Sequence, residues 1–176
     1  LMPDPAHTTN LSFGDVAGQL SLDLLRALLA QPHGASIHVL DLSRQHLPPE
    51  AIDLLIEDAQ LLDHLQWLDL SFNPIRGSGL ARLLAAPFTS LRGMKLEHIS
   101  MWRGECHLIQ EISKLPNSLK HIDLAANHLT DQGITHVAAW PLLARIEALG
   151  LRDNSLTDDA IDALTDPSCP LTQGQL

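Results

Sequence analysis

Five stretches of the chain repeat one pattern at a nearly constant interval, and this repetition limits the fold more than any other feature. They are "IHVLDLSRQHL" from Ile37, "LQWLDLSFNPI" from Leu65, "LRGMKLEHISM" from Leu91, "LKHIDLAANHL" from Leu119 and "IEALGLRDNSL" from Ile146. Their starts lie 28, 26, 28 and 27 residues apart. With each first residue counted as position one, positions one, four, six and eleven are apolar in all five copies, and position nine is Asn at Asn73, Asn127 and Asn154. One such unit cannot bury its apolar side alone, so the copies must stack into a continuous core. "LTQGQL" from Leu171 reads as the opening of a sixth copy.

The second half of each copy keeps the same register. Position sixteen reads Ile52, Leu80, Cys106, Ile134 and Ile161, and position nineteen reads Leu55, Leu83, Ile109, Val137 and Leu164. Apolar residues at i and i+3 mark one stripe of a helix. Position fifteen is small at Ala51, Gly79, Gly133 and Ala160, which suits a helix packed closely on the next coil; Glu105 breaks that rule. Thr130 and Thr157 stand as helix N-caps before acidic first turns, with Asp158 and Asp159 at a helix N-terminus. Pro49 suits a first turn, and Pro141 stops the helix carrying Trp140. Each copy thus predicts a short strand followed by an α-helix.

These segments match L-x-x-L-x-L-x-x-N-x-L and resemble the leucine-rich repeat family over residues 37–164. A repeat of about 27 residues leaves room for a helix, so the chain looks like the ribonuclease-inhibitor-like class. Its two cysteines, Cys106 and Cys169, are fewer than in the eukaryotic members compared, which points to a bacterial origin. The resemblance implies an α/β solenoid, with a parallel sheet on the concave face and helices on the convex face. Residues 1–36 fit the pattern poorly; "NLSF" supplies a degenerate strand and "SLDLLRALLAQP" an amphipathic helix, as a capping repeat would. The division expected is a cap over residues 1–36, five repeats over 37–170 and the start of a sixth over 171–176.

Alternation along a strand sends positions four and six into the core and positions three, five and seven outward. Equal positions in successive copies then form columns. Column three reads Val39, Trp67, Gly93, His121, Ala148; column five, Asp41, Asp69, Lys95, Asp123, Gly150; column seven, Ser43, Ser71, Glu97, Ala125, Arg152; column eight, Arg44, Phe72, His98, Ala126, Asp153. Lys95 lies between Asp69 and Asp123, where it can pair with both. Aromatic anchors with a polar rim are what a binding hot spot contains, so Trp67, Asp69, Phe72, Lys95, Glu97, His98, His121 and Asp123 are the candidate partner-binding residues. The competing reading has Trp67 flat across Gly93, shielding the sheet, and Phe72 turned into the core. The third copy departs most: Ile99 replaces the Asn, Trp102 follows the strand turn, and the interrupted Asn ladder predicts a looser or differently curved stack.

Charge and chemistry narrow the function. A net charge of −10 without a basic run argues against nucleic acid and anionic membrane surfaces. No apolar run reaches the ~18 residues of a membrane span, and the cysteines have no disulfide or metal spacing. The ten histidines are scattered (His38, His64, His121, His128 and His136 over strand, turn and helix), and His98 and His121 sit too far apart along their strands to share a metal. "GSG" at Gly77–Gly79 is a turn into a helix, and Cys106 takes a core position as an inert thiol. Neither a catalytic motif nor a cofactor fingerprint is present. The expectation is a non-enzymatic, monomeric, cytoplasmic module that needs no cofactor and binds a protein on its concave face. A second reading is the substrate-recruiting part of a larger enzyme, such as a bacterial effector secreted into a host cell. A GTPase-activating role, for which Arg44, Arg76 or Arg152 are positional candidates, and a self-associating structural element are the remaining alternatives.

Overall fold

The computed structural model describes residues 9–14, 20–30, 37–57, 62–101 and 105–173. Six strands, β1 (Thr9–Ser12), β2 (Ile37–Asp41), β3 (Trp67–Asp69), β4 (Gly93–Lys95), β5 (His121–Asp123) and β6 (Ala148–Gly150), form one parallel sheet in sequence order. Between and after them run α1 (Leu22–Leu29), α2 (Glu50–Glu57), α3 (Arg76–Leu84), α4 (His107–Gln110), α5 (Asp131–Ala138), α6 (Asp158–Thr165) and α7 (Pro170–Gln173). Trp67 pairs with Gly93, Gly93 with His121 and His121 with Ala148, so each column of the sequence is a true row of neighbours.

Positions four and six supply the sheet's contribution to the core. Leu40, Leu42, Leu68, Leu70, Met94, Leu96, Ile122 and Leu124 are all buried. The helices close the other side through Ile52, Leu80, Cys106 and Ile134, each fully buried. Ile161, their counterpart in α6, is 59% exposed. The N-caps form as expected, with the Thr130 hydroxyl accepting from Gly133 N–H and Thr157 from Asp159 N–H. Ser21 does the same for α1, accepting from Leu24 N–H.

Two expectations need correction. The third copy has only a single helical turn, α4, instead of a full helix. Glu105, just before it, reaches back across 28 residues to accept the Gly77 N–H at 3.0 Å; that cross-coil bond holds the chain in place of a first turn. Next, α5 ends at Ala138, and Trp140 lies beyond it with extended backbone, φ −75° and ψ 116°. Proline at 141 disfavours the helical region for the residue before it. Leu171, the expected first residue of a sixth copy, lies in the helical turn α7, and residues 174–176, where most of its strand would fall, lie outside the described residues.

The coils on either side of Ile99 stay joined by backbone bonds. Leu70 N–H donates to Lys95 C=O and Phe72 N–H to Glu97 C=O, the same bonds that join every other pair of coils from β2 to β6. Ile99 is fully buried, and its carbonyl accepts Arg76 N–H at 2.8 Å. Ile75 N–H, which an Asn at 99 would take, turns to Asn73 C=O instead. Trp102, the other irregularity of this copy, lies outside the described residues.

Cys106 sits under the fourth coil, its Sγ 2.9 Å from where a Cβ on Gly133 would stand. Burial pushes its thiol above the ordinary range, and the Glu105 charge adds to that. Cys169 is buried too. The expected result is that iodoacetamide labels neither cysteine in the native protein at pH 8 and both after unfolding, as read by intact mass.

Candidate functional site

The candidate site grows from columns three and five on the open face of the sheet. Trp67 leaves β3 on the side away from the helices and lies flat over Gly93, where any Cβ would overlap its ring. With that position empty of side chain, the indole reaches across a whole strand and stacks on His121, ring centroids 5.5 Å apart and planes 20° from parallel. The reading in which Trp67 shields the sheet across Gly93 is therefore the one the structure shows. Its ring stays half-buried, held at a fixed angle beside open surface.

The aspartates of column five first serve their own turns. Asp41, Asp69 and Asp123 each accept, through Oδ1, the backbone N–H two residues on, at 2.9, 2.9 and 3.0 Å. This side-chain turn explains why Asp recurs as the last residue of β2, β3 and β5. What remains for other contacts is the second carboxylate oxygen. Asp69 Oδ2 takes Lys95 Nζ at 3.8 Å, and Asp41 Oδ2 accepts the Ser12 hydroxyl at 2.8 Å. Lys95 makes no ion pair with Asp123, contrary to the expected double pairing: the Asp123 carboxylate leans over Gly150, filling the space a Cβ would need there. An exposed pair such as Lys95–Asp69 is worth at most about 1 kcal/mol. Burial raises the Asp41 carboxyl, but the Ser43 N–H and hydroxyl, the Ser12 hydroxyl and the Lys95 charge outweigh it, so the group titrates below the ordinary carboxylate range.

Because Trp67 leans toward β5, a hollow of about 230 Å³ opens behind it. Val39 and Leu68 line it with the indole, and Ser12, Asp41, Asp69 and Lys95 form its polar rim. Sequence columns listed Val39 and Asp41 without marking them as site residues. The direction of the Trp67 lean, set by Gly93, was the available signal.

The eight candidate residues do not form one patch. Trp67, Asp69, Lys95, His121 and Asp123 share the sheet face. Glu97 is occupied by Arg152, Nη2 to Oε2 at 2.7 Å, across a coil that carries only Ala125 in that column. Phe72 and His98 sit at the turn edge with left-handed backbone, φ 59° and 52°. Phe72 does not enter the core. It is half-buried between the Arg44 guanidinium, 4.1 Å above its ring, and the His98 imidazole, 5.6 Å away. His46 and His128, both at position ten, belong to the same edge; they lie beyond the strand, where alternation no longer says which way a side chain points.

Among the described residues, no three His, Cys, Asp or Glu side chains gather where a metal ion would sit, and no helix is long and apolar enough to cross a membrane. A protein-family model described as Leucine Rich repeat matches residues 63–84 and 116–138, which carry Asn73 with α3 and Asn127 with α5. The six-stranded parallel sheet, its alternating helices and these two matches define an α/β leucine-rich repeat solenoid. Repeats of this family generally mediate protein interactions and are typically non-enzymatic. No curated protein matches the chain.

Proposed function

We propose that this chain is a non-enzymatic protein-recognition module of the ribonuclease-inhibitor-like class, whose partner docks on the concave sheet face around Trp67, Asp69, Lys95, His121 and Asp123. The carrying observation is the Trp67 indole, fixed over Gly93 against His121 beside a hollow with a carboxylate rim. An aromatic anchor whose position is already set loses little freedom on binding, which lowers the ordering cost of the complex. The hollow suits a basic side chain of the partner, its aliphatic stem on Val39 and Trp67 and its charged head between Asp41 and Asp69. An overall charge of −10 favours the approach of such a partner.

Comparative affinity capture tests this reading. Wild type is set against Trp67→Ala, which removes the anchor, and Lys95→Met, which removes the cation competing for Asp69. Circular dichroism first establishes that both variants fold. Trp67→Ala is expected to weaken the captured partner by about 30-fold, the scale of a hot-spot residue, while Lys95→Met retains or tightens it. Unchanged capture and affinity for Trp67→Ala would sink the proposal.

A further inference from the structure

The turn edge of the solenoid carries a feature of its own, apart from the sheet face. Position eight is left-handed in every coil from the second strand onward: Arg44, Phe72, His98, Ala126 and Asp153 have φ of 60°, 59°, 52°, 53° and 56°. Glycine takes this conformation freely, whereas other residues lose roughly 1 kcal/mol or more to it. Three consecutive coils nevertheless place Arg, Phe and His there, and the side chains make use of the position. Arg44 lies over Phe72, Phe72 stacks on His98, and His98 meets the edge of His128 at 6.1 Å. Two positions on, His46, Ser100 and His128 are left-handed as well. Pro74 cannot follow, since its ring fixes φ near −65°. There the left-handed residue is Arg76, φ 64°, an exposed second guanidinium at the head of α3.

Arg44, His46, Phe72, His98 and Ser100, with Asn73 and Pro74 between them, line a cleft of about 440 Å³, and no acidic side chain is among its lining residues. In a chain of net charge −10 this is a local reversal of sign. Among the described residues, the ion pairs engage Arg26, Arg82, Lys95, Lys120 and Arg152, and neither Arg44 nor Arg76.

We propose that this edge binds an extended acidic segment of a protein partner, its carboxylates meeting Arg44, His46, His98 and His128 in succession. The spacing selects a peptide. Coils repeat every ~4.8 Å, so Arg44 and His128 lie three steps, roughly 14 Å, apart, a span that four or five extended residues cover at ~3.3 Å each. A single phosphate is too short for it. A nucleic acid would bring its whole phosphate array against the chain's net negative charge. Imidazole N–H groups and the guanidinium donate to carboxylates, and the Phe72 ring holds the Arg44 guanidinium in place.

The test is fluorescence anisotropy with a fluorescein-labelled peptide of five glutamates between Gly-Ser flanks, and the matching five-glutamine peptide, in 50 mM salt. Wild type is expected to bind the glutamate peptide and not the glutamine one. Arg44→Glu should weaken binding at least about tenfold, the effect of losing one charged hydrogen-bond donor. Phe72→Ala should weaken it about threefold, and Trp67→Ala should leave it unchanged, which separates this edge from the sheet-face site. Equal binding of both peptides, no binding to wild type, or no loss on Arg44→Glu in a variant with native circular dichroism would each overturn the proposal. Displacement of the peptide by equimolar inorganic triphosphate would overturn it in favour of a phosphate site. Self-association of wild type that Arg44→Glu abolishes, seen by sedimentation, would overturn it in favour of a second copy.

Discussion

Replacing Asn127 with Ala is expected to lower the stability of the solenoid by about 3–5 kcal/mol, a large share of the ~5–15 kcal/mol that holds an ordinary domain folded. Asn127 is fully buried, and both ends of its amide join coils. Its Oδ1 accepts Ile99 N–H at 2.9 Å, and its Nδ2 donates to Leu96 C=O at 2.7 Å and to Ala125 C=O at 3.0 Å. Truncation removes the partner of each group inside the core, where an unmet donor or acceptor costs about 1–3 kcal/mol. Coils in a stack touch only their neighbours, so weakening one junction also uncouples the two sides. The slope of the urea transition is therefore expected to fall together with its midpoint. Asn154→Ala is the comparison. Asn154 makes the equivalent bonds, accepting Asn127 N–H at 2.9 Å and donating to Leu124 C=O at 3.0 Å, and also accepts Leu129 N–H, but it is only half-buried, and about 1–2 kcal/mol is expected. Equal costs for the two variants would contradict this account of the ladder.

Trp140→Ala is expected to cost about 3–5 kcal/mol, as large aromatic truncations in cores do. The indole is 2% exposed, and its Nε1–H donates to Ile112 C=O at 3.1 Å, 28 residues back. Ile112 and Leu115 belong to the segment that follows the single turn of α4, at positions where the neighbouring coils have also left their helices. Trp140 thus ties the fourth coil to the third and satisfies a carbonyl just beyond the end of α4. Trp140→Phe retains most of the packing and loses the N–H, so about 1–2 kcal/mol is expected. Urea unfolding of the two variants measures both, and a Phe variant as damaged as the Ala variant would show that the hydrogen bond outweighs the packing.

The repeat register was legible because burial is set by position: Leu68, Leu70, Leu80 and Leu83 are in the core where the spacing places them. Substitutes within the repeat were harder to see. Gln45 replaces Asn at position nine of the first copy, and its longer side chain still reaches back to Phe13 C=O at 2.7 Å, extending the ladder to β1. Glu105 breaks the small-residue rule of position fifteen because its carboxylate is used between coils. Neither follows from periodicity, which reports which side faces the core and says nothing of what a polar side chain reaches. The candidate site divides for the same reason. Phe72 and His98 are three residues past the last residue of their strands, where a left-handed turn takes the chain off the sheet. Trp67 and Gly93 were legible as neighbours, but the stack on His121 depends on a ring crossing an empty position.

Recognition on the open sheet face is the central claim, and site-specific photo-crosslinking tests it most directly. A benzophenone side chain is placed at position 95, on the sheet face, or at position 135, where Thr135 is exposed on α5. Each protein is then irradiated in the presence of its captured partner. The account predicts a crosslinked complex from position 95 and none from position 135. Crosslinking from position 135 with position 95 silent would contradict it.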